Sequence, residues 1–246
     1  MSFSVINFYK FVKIDDAREL RYPWRDEARR LGLVGTILLA PEGVNCALCG
    51  EIEALECFLS YLRRDKRFAD VAPKWSETPK RPFRRMEVKV KRWIIRFAEA
   101  NDPAVDEILD GDRMTPSEVK TALQEKADDF IVVDTRNDYE TEVGAFAGAV
   151  KLPIKTFTEF PEAFLAAFAD QRDKRILFYC TGGVRCEKVV PWAKAHGFDR
   201  ATQLDGGILK YLEEHGGAHY EGECFVFDDR FQLDGDLGVT AASFPT

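Results

Sequence analysis

The pattern of apolar positions divides the chain into two halves. In the first half, short runs rich in aromatic and β-branched residues alternate with amphipathic stretches rich in Ala, Arg, Leu and Glu. The short runs predict strands and the amphipathic stretches predict helices. The predicted strands cover residues 4–12, 33–40, 45–48, 71–75 and 87–97, and the predicted helices cover residues 15–31 and 51–64.

Apart from the last strand, the order of these elements is β-α-β-β-α-β, which predicts a ferredoxin-like (acylphosphatase-like) α+β sandwich over residues 1–98. Residues 99–114 contain Asn-Asp-Pro and Asp-Gly-Asp and are predicted to form a linker, because these sequences favour turns. A helix is predicted directly afterwards. Thr115 can serve as its N-cap, Pro116 occupies its first position, and Glu118 completes a capping box.

The second half alternates continuous apolar strands with helices, which predicts an α/β domain with a parallel sheet over residues 115–216. An acidic C-terminal extension, residues 217–246, is expected to follow. Ligands of such folds bind at the carboxyl ends of the strands, which is where the loop after Tyr179 lies. The predicted strands are residues 130–134, 148–152, 175–179 and 201–204, and the predicted helices are residues 160–168, the segment ending at 196, and residues 208–215.

Composition and charge add a second feature. The chain is 46% apolar and 31% charged, which is typical of a soluble globular protein. Its net charge is −7, yet residues 74–96 hold nine Lys or Arg and two Glu, a local charge of +7 that leaves −14 for the rest. A basic segment in an acidic chain predicts a docking face for an anion.

Six cysteines in 246 residues form no regular framework, so reduced thiols are expected. No targeting or membrane-spanning segment is recognisable, and the most apolar stretch, residues 31–50, is interrupted by Gly35 and Pro41. The predicted location is therefore cytoplasmic.

The glycine-rich loop between the predicted strand at 175–179 and the following helix is the strongest chemical signal. Adjacent glycines let successive amides point inward, the helix N-terminus adds a positive dipole, and Arg185 adds a full charge. A thiol there is expected to react as a thiolate. The alternative is that Cys180 is an inert buried cysteine. The candidate catalytic residues are Cys180, Arg185 and Cys186, and the predicted anion cradle is formed by Thr181, Gly182, Gly183 and Val184.

Other residues have structural alternatives. Cys186 could resolve an oxidised or persulfide form of Cys180, or fill a small core site. Arg136 and Glu140 are expected to organise the scaffold rather than react. Cys46 and Cys49 have the spacing of a metal knuckle, but no second ligand pair follows, so no metal site is predicted.

The segment Cys180-Thr181-Gly182-Gly183-Val184-Arg185 resembles a rhodanese active-site loop, supported by residues 134–140 (DTRNDYE) and 204–207 (LDGG). The resemblance covers residues 117–215 and implies that Cys180 can carry sulfur as a persulfide. Four residues separate Cys180 from Arg185, whereas the related phosphatases have one more.

A wider resemblance involves residues 40–45 (APEGVN), 80–83 (KRPF), 180–188 and 222–230 (GECFVFDDR). Together they resemble the tRNA uridine hydroxylase family of rhodanese-domain proteins, over nearly the whole chain. The resemblance implies oxygen-dependent conversion of the tRNA wobble uridine to 5-hydroxyuridine, with molecular oxygen as co-substrate. No flavin, haem or iron motif is recognisable.

With this resemblance, the basic segment is interpreted as a contact for the tRNA anticodon arm. Its alternative is the polar outer face of a sheet. The predicted tRNA-binding residues are Lys80, Arg81, Arg84, Arg85, Lys89, Lys91 and Arg92.

Two other functions stay open. One is a plain sulfurtransferase that receives sulfur from thiosulfate or a donor protein through a Cys180 persulfide. The other is a non-enzymatic RNA-binding adaptor in which the loop is only an anion site. Thiosulfate-to-cyanide turnover separates the sulfurtransferase from the hydroxylase, and loss of function on Cys180→Ala separates both enzymes from the adaptor.

Overall fold

The structure, a computed structural model, describes residues 2–98, 102–109, 111–125 and 127–240. The chain folds as two units that divide between Ile94 and Ile95. The boundary therefore lies before the predicted end of the first domain at residue 98. The physical reason is Phe97, which is buried and packs against Phe157 and Trp192 of the second unit.

The first unit is an α+β sandwich. Its sheet has the order β4-β1-β3-β2-β5. The first four strands are antiparallel to their neighbours, in the arrangement expected of a ferredoxin-like fold, and β5 adds a parallel edge strand beside β2. The predicted fold is confirmed with this one extra strand. The elements are β1 (Phe3–Phe11), α1 (Ala17–Arg30), β2 (Val34–Ala40), β3 (Gly43–Gly50), α2 (Ile52–Leu62), β4 (Lys74–Thr78) and β5 (Met86–Val90).

The predicted strand at residues 87–97 is wrong beyond Val90. The reason is the partner strand, because β2 ends at Ala40 and offers β5 no further hydrogen bonds. After Lys91, whose N–H donates to the Leu39 carbonyl, the chain leaves the sheet. Glu42, in the turn after β2, then accepts a hydrogen bond from the Ile94 N–H at 2.7 Å. Its carboxylate thus holds the end of this unit in place.

The second unit contains a five-stranded sheet with the order β6-β11-β10-β7-β9, and all its neighbouring strands are parallel. The predicted α/β domain with a parallel sheet is confirmed. The elements are α3 (Val105–Leu109), β6 (Arg113–Met114), α4 (Pro116–Glu125), β7 (Phe130–Asp134), α5 (Asp138–Thr141), β8 (Gly144–Phe146), β9 (Val150–Lys151), α6 (Phe160–Phe168), β10 (Arg175–Tyr179), α7 (Cys186–Ala195), β11 (Ala201–Leu204), α8 (Gly207–His215), β12 (Tyr220–Gly222), β13 (Cys224–Phe225) and β14 (Gln232–Leu233).

Much of the predicted linker at residues 99–114 has regular structure. Helix α3 packs against α7, and β6 extends the parallel sheet beside β11. Ile108, which is buried, gives α3 its apolar contact. Residues 99–101 and 110 lie outside the described residues. The helix α4 then begins with the predicted capping box, in which Thr115 and Glu118 exchange hydrogen bonds of 2.8 and 3.3 Å.

The acidic extension is also part of the second unit. Strand β12 pairs antiparallel with β8, a three-residue strand that the sequence pattern did not predict. Cys224 and Leu233 are buried in the same core cluster as Tyr179 and Ile208. The second unit therefore does not end at residue 216, although residues 241–246 lie outside the described part of the chain.

Candidate active site

Cys180 lies at the carboxyl end of the central strand β10. Residues 176–179 of this strand are fully buried, which fixes the strand end within the core. Thr135 donates two hydrogen bonds to the Tyr179 carbonyl, from its N–H at 3.0 Å and from its hydroxyl at 2.9 Å. The residue before the thiol is therefore tied to the end of the neighbouring strand β7.

The loop after Cys180 turns its amides toward the sulfur. The Gly183 N–H donates to the Cys180 Sγ at 3.1 Å, and the Arg185 N–H also donates to it. Gly183 has φ of +101°, in the region that favours glycine, so this residue permits the curl. Thr181, Gly182 and Val184 are half-buried around the sulfur. The loop thus forms an anion-binding nest.

Gly207 brings the start of α8 against this loop. The N–H groups of Ile208 and Leu209 donate to the carbonyls of Cys180 and Thr181, both at 3.0 Å. A Cβ atom at Gly207 would lie 2.5 Å from the Cys180 carbonyl oxygen and 2.7 Å from the Gly183 nitrogen. Only glycine fits this approach. The Gly206-Gly207 pair was visible in the sequence, but its contact with the loop was not.

Arg185 is held by an ion pair with Glu140. The Arg185 Nη2 and Glu140 Oε2 atoms are 2.8 Å apart, and both side chains are buried. Glu140 comes from the capping box of α5, where it also accepts from the Asn137 N–H. The guanidinium is therefore fixed beside the loop. The sequence predicted a functional role for Arg185 but gave no signal that Glu140, 45 positions earlier, contacts it.

Opposing effects set the pKa of Cys180. Burial is the largest effect and by itself favours the neutral thiol. A hydrogen bond from the Cys186 thiol, the charge of Arg185, and the N–H groups of Arg185 and Gly183 together outweigh it and lower the pKa of Cys180 to about 6. Cys180 is therefore mostly a thiolate at neutral pH. Only 2% of the residue is exposed, so this thiolate is shielded from bulk water.

Cys186 is the first residue of α7 and is fully buried. Burial and the neighbouring Cys180 raise the pKa of Cys186, which keeps it a thiol able to donate a hydrogen bond to the Cys180 sulfur. Its Sγ also lies 3.7 Å from the Thr135 hydroxyl. The two predicted cysteines therefore lie in one buried core cluster at the end of β10.

Arg136 lies at the end of β7, where it contacts Asp134 and Gly144. It is fully buried and pairs with Asp134, with Nη2 and Oδ2 2.7 Å apart. The same nitrogen donates to the Gly144 carbonyl at 2.6 Å. These contacts join the end of β7 to β8 and match the scaffold role expected for Arg136.

Phe227 is a surface feature that the sequence interpretation missed. It is 62% exposed, and its ring centroid lies 5.6 Å from the Arg185 guanidinium. Its ring also meets the edge of Phe225 at 5.2 Å, and the Phe225 carbonyl lies 3.5 Å from the Thr181 hydroxyl. The extension after α8 therefore reaches the rim of the cradle. The available signal was an aromatic pair, Cys-Phe-Val-Phe, in an otherwise acidic segment.

The predicted tRNA-binding residues all belong to the first unit, whereas the cysteine site belongs to the second. They lie between β4 and β5, within β5, and just after it. Arg85 and Lys89 both pair with Glu87, at 2.7 and 2.6 Å, and Arg92 lies over the Trp93 ring at 4.4 Å. Their assignment to tRNA stays a prediction. The exposed members are Lys80, Arg81, Arg84, Arg85, Lys91 and Arg92, and Lys89 is half-buried.

The described part of the chain contains neither a cluster of metal-ligating side chains nor a membrane-spanning helix. Within those residues, no three His, Cys, Asp or Glu side chains are grouped so that they could hold a metal ion. None of the helices in the described ranges has the length and apolar character needed to cross a membrane. Cys46 and Cys49 lie in β3 and are both buried.

Comparison with known families assigns the class of protein. Residues 3–94 match the UPF0176 acylphosphatase-like domain, and residues 115–214 match the rhodanese-like domain. The chain is therefore a rhodanese-domain protein with an acylphosphatase-like N-terminal domain.

Full-length relatives define the family. A tRNA uridine(34) hydroxylase from Variovorax paradoxus is 48% identical over 239 residues, covering 95% of this chain and 90% of that relative. One from Bordetella pertussis is 43% identical over 245 residues, covering 97% of this chain and 99% of its own. This chain belongs to the tRNA uridine(34) hydroxylase family, as the sequence resemblance indicated. Among solved structures, a rhodanese-like domain protein from Staphylococcus aureus is 29% identical and covers 41% of this chain and 90% of its own, with a TM-score of 0.35.

Proposed function

We propose that this protein hydroxylates uridine 34 of tRNA to 5-hydroxyuridine, with molecular oxygen as co-substrate and Cys180 as the nucleophile. The names of its relatives support the reaction and the substrate. The observation that carries the role of Cys180 is its environment. The sulfur is buried, accepts hydrogen bonds from loop amides and has a pKa of about 6.

The thiolate of Cys180 attacks the pyrimidine at C6, the ring carbon next to C5. The electron pair of the C5–C6 double bond then moves toward the O4 carbonyl, which makes C5 electron-rich and able to react with oxygen. C5 bonds to one oxygen atom of O2, the O–O bond breaks with two electrons from a thiol reductant, and the other oxygen atom leaves as water. When the C5 proton then leaves, the thiolate departs from C6 and the double bond re-forms. Cys180 acts in both steps, because a low-pKa thiolate is both an available nucleophile and a good leaving group.

Arg185 and the loop amides serve these steps by stabilising negative charge on the sulfur. Since Glu140 holds the guanidinium in place, this stabilisation is present before the substrate arrives. Thr181, Gly182, Gly183 and Val184 provide the backbone of the cradle.

Two surfaces are assigned to tRNA. The basic residues between 80 and 92 contact phosphates, because their side chains are exposed or half-exposed and concentrate positive charge. Phe227 stacks on the base at the cradle rim. An exposed aromatic ring is a suitable platform for an unpaired base, and this ring already lies beside Arg185.

The test is complementation in cells that lack this gene, with nucleoside mass spectrometry of their tRNA. The wild-type chain is expected to restore 5-hydroxyuridine or its derivatives, and Cys180→Ser is expected to restore none. Cys57→Ser is the matched control, because Cys57 is an exposed cysteine of the first unit and should restore the nucleoside fully. Equal rescue by Cys180→Ser would remove Cys180 from the mechanism.

A complete absence of 5-hydroxyuridine with the wild-type chain would overturn the proposed reaction itself. The purified protein is then assayed for thiosulfate-to-cyanide sulfur transfer, which a persulfide at Cys180 would support. We expect the hydroxylase signal to depend on oxygen, which is checked by incubating purified protein and unmodified tRNA with and without air.

A further inference from the structure

The thiol of Cys186 helps to lower the pKa of Cys180, but it does not itself react in the addition to the base. It lies in the same buried core cluster as Cys180, and its Sγ is 3.7 Å from the Thr135 hydroxyl. Thr135 in turn binds the carbonyl of Tyr179, the residue before Cys180. Both sulfurs are therefore held at the same strand end. A second thiol in this position is placed to exchange electrons with Cys180.

The number of electrons that the hydroxylation requires shows what a second thiol can supply. Reducing both atoms of molecular oxygen to the oxidation level of water takes four electrons. Conversion of a C5–H bond to C5–OH provides two of them. The other two have to come from a reductant, and a pair of thiols provides two electrons when it becomes a disulfide.

We propose that Cys180 and Cys186 are this reductant, so that each hydroxylation converts the pair to a Cys180–Cys186 disulfide. This inference rests on the proposed function. The overall step is uridine + O2 + two thiols → 5-hydroxyuridine + H2O + one disulfide. One oxygen atom goes to C5, the other leaves as water, and the two thiol hydrogens go to that water.

The individual bonds follow the same balance. With Cys180 bound at C6, the electron-rich C5 adds O2 and takes up one proton to form a hydroperoxide. The Cys186 thiol attacks the outer oxygen, so the O–O bond breaks and leaves C5–OH and a sulfenic acid on Cys186. Loss of the C5 proton expels Cys180 from C6. Its thiolate then displaces hydroxide from the Cys186 sulfur, which forms the disulfide, and the hydroxide is protonated to water.

The local fold suits this exchange. Five residues separate the two cysteines, and two of them, Gly182 and Gly183, give the loop freedom to bring the sulfurs from hydrogen-bonding to bonding distance. Because Cys186 is fully buried, a reductant has to attack through Cys180, and the regenerating partner is a dithiol of small size or with an exposed active-site cysteine.

The test is a single turnover without external reductant. Reduced wild-type protein is freed of thiols, mixed with excess unmodified tRNA in aerated buffer, and quenched by alkylation. Product is counted by nucleoside mass spectrometry and free thiols by protein mass spectrometry. We expect about one 5-hydroxyuridine per enzyme, the loss of two thiols per product, and a linked peptide containing Cys180 and Cys186. Addition of dithiothreitol should restore repeated turnover.

Two cysteine variants test whether Cys186 is the thiol that supplies the electrons. Cys57→Ser should give the same ratio of two thiols per product, whereas Cys186→Ser should form product only at a rate proportional to added dithiothreitol. Product formed by wild-type protein with no loss of thiols, or many products per enzyme without reductant, would overturn the inference while leaving the hydroxylase activity intact. No product from wild-type protein even with dithiothreitol would instead contradict the proposed function.

Discussion

The two regions assigned to function are built in opposite ways. The cysteine loop is short and buried, and it is enclosed by backbone groups and by the Arg185–Glu140 ion pair. The basic segment of the first unit is long and exposed, and its charges lie on strands, turns and the chain after β5. Under the proposed function, we therefore expect the loop to determine the rate of the chemistry and the basic segment to contribute to binding through many weak contacts.

The sharpest test of the enclosed region is Gly207→Ala. A Cβ atom at this position would collide with the backbone of Cys180 and Gly183, so the loop has to move away from α8. We expect kcat/KM to fall by about 100-fold, because a displacement of about 1 Å in catalytic groups has effects of that size. The measurement is a steady-state assay of 5-hydroxyuridine formation.

Gly148→Ala is the matched control for that variant. Gly148 also has positive φ, at +76°, but a Cβ atom added there would have no other atom within 4 Å. Both variants carry similar backbone strain, and only Gly207→Ala disturbs the loop. Equal activities in the two variants would show that the close approach of α8 is unimportant.

The pH dependence separates chemistry from binding. The thiolate is the reactive form and exists above the pKa of Cys180, which is about 6. We therefore expect kcat/KM to rise about tenfold per pH unit below pH 6 and to level off above it. Alkylation of Cys180 by iodoacetamide, followed by peptide mass spectrometry, gives the same titration without tRNA.

Cys186→Ala sharpens this result, because it removes the hydrogen bond that favours the Cys180 thiolate. The midpoint of Cys180 alkylation should move to higher pH in this variant. An unchanged midpoint would mean that Arg185 and the loop amides alone set the acidity of Cys180.

The sequence predicted the ends of some strands correctly and the end of another too late. Strands β7, β10 and β11 were predicted to their ends, and β7 and β10 are short apolar runs bounded by charged or turn residues. The strand at 87–97 was predicted too long, since its alternating pattern continues after its partner β2 has ended. A strand extends only as far as its neighbour offers hydrogen-bonding partners. The local sequence pattern does not show where the neighbouring strand ends.

The candidate site shows the same limit. The residues of the Cys180 loop are contiguous, so the sequence alone predicted that Cys180, the loop amides and Arg185 lie together. Glu140, Gly207 and Phe227 come from distant segments, and their contacts with the loop arise only from the tertiary fold. Phe227 in particular lies in the acidic extension, and neither its aromatic pair nor the resemblance at residues 222–230 indicated a contact with the Cys180 loop.

Phe227→Ala tests whether this distant residue belongs to the enclosed region. Loss of a stacked base costs about 1–3 kcal/mol, so we expect kcat/KM to fall by about tenfold. Phe227→Tyr keeps an aromatic face and should retain most of the activity. The Cys180 alkylation rate should be unchanged in both variants, which distinguishes a contact with the base from damage to the loop. An equal loss in both variants would argue against stacking.

The smallest expected effect is the loss of tRNA affinity when residues of the basic segment are replaced. The double variant Lys80→Ala/Lys91→Ala removes two exposed charges, and we expect tRNA affinity to fall about three- to tenfold at low salt with kcat unchanged at saturating tRNA. The slope of log Kd against log salt concentration should decrease by roughly one to two, because fewer counterions are released. Lys13→Ala/Lys66→Ala removes the same charge from exposed sites of the first unit outside the segment and serves as the control. If both pairs weaken binding equally, net charge alone attracts the tRNA. If the segment variant lowers kcat instead, these lysines act on the reacting geometry, and the separation between a binding region and a chemical region fails.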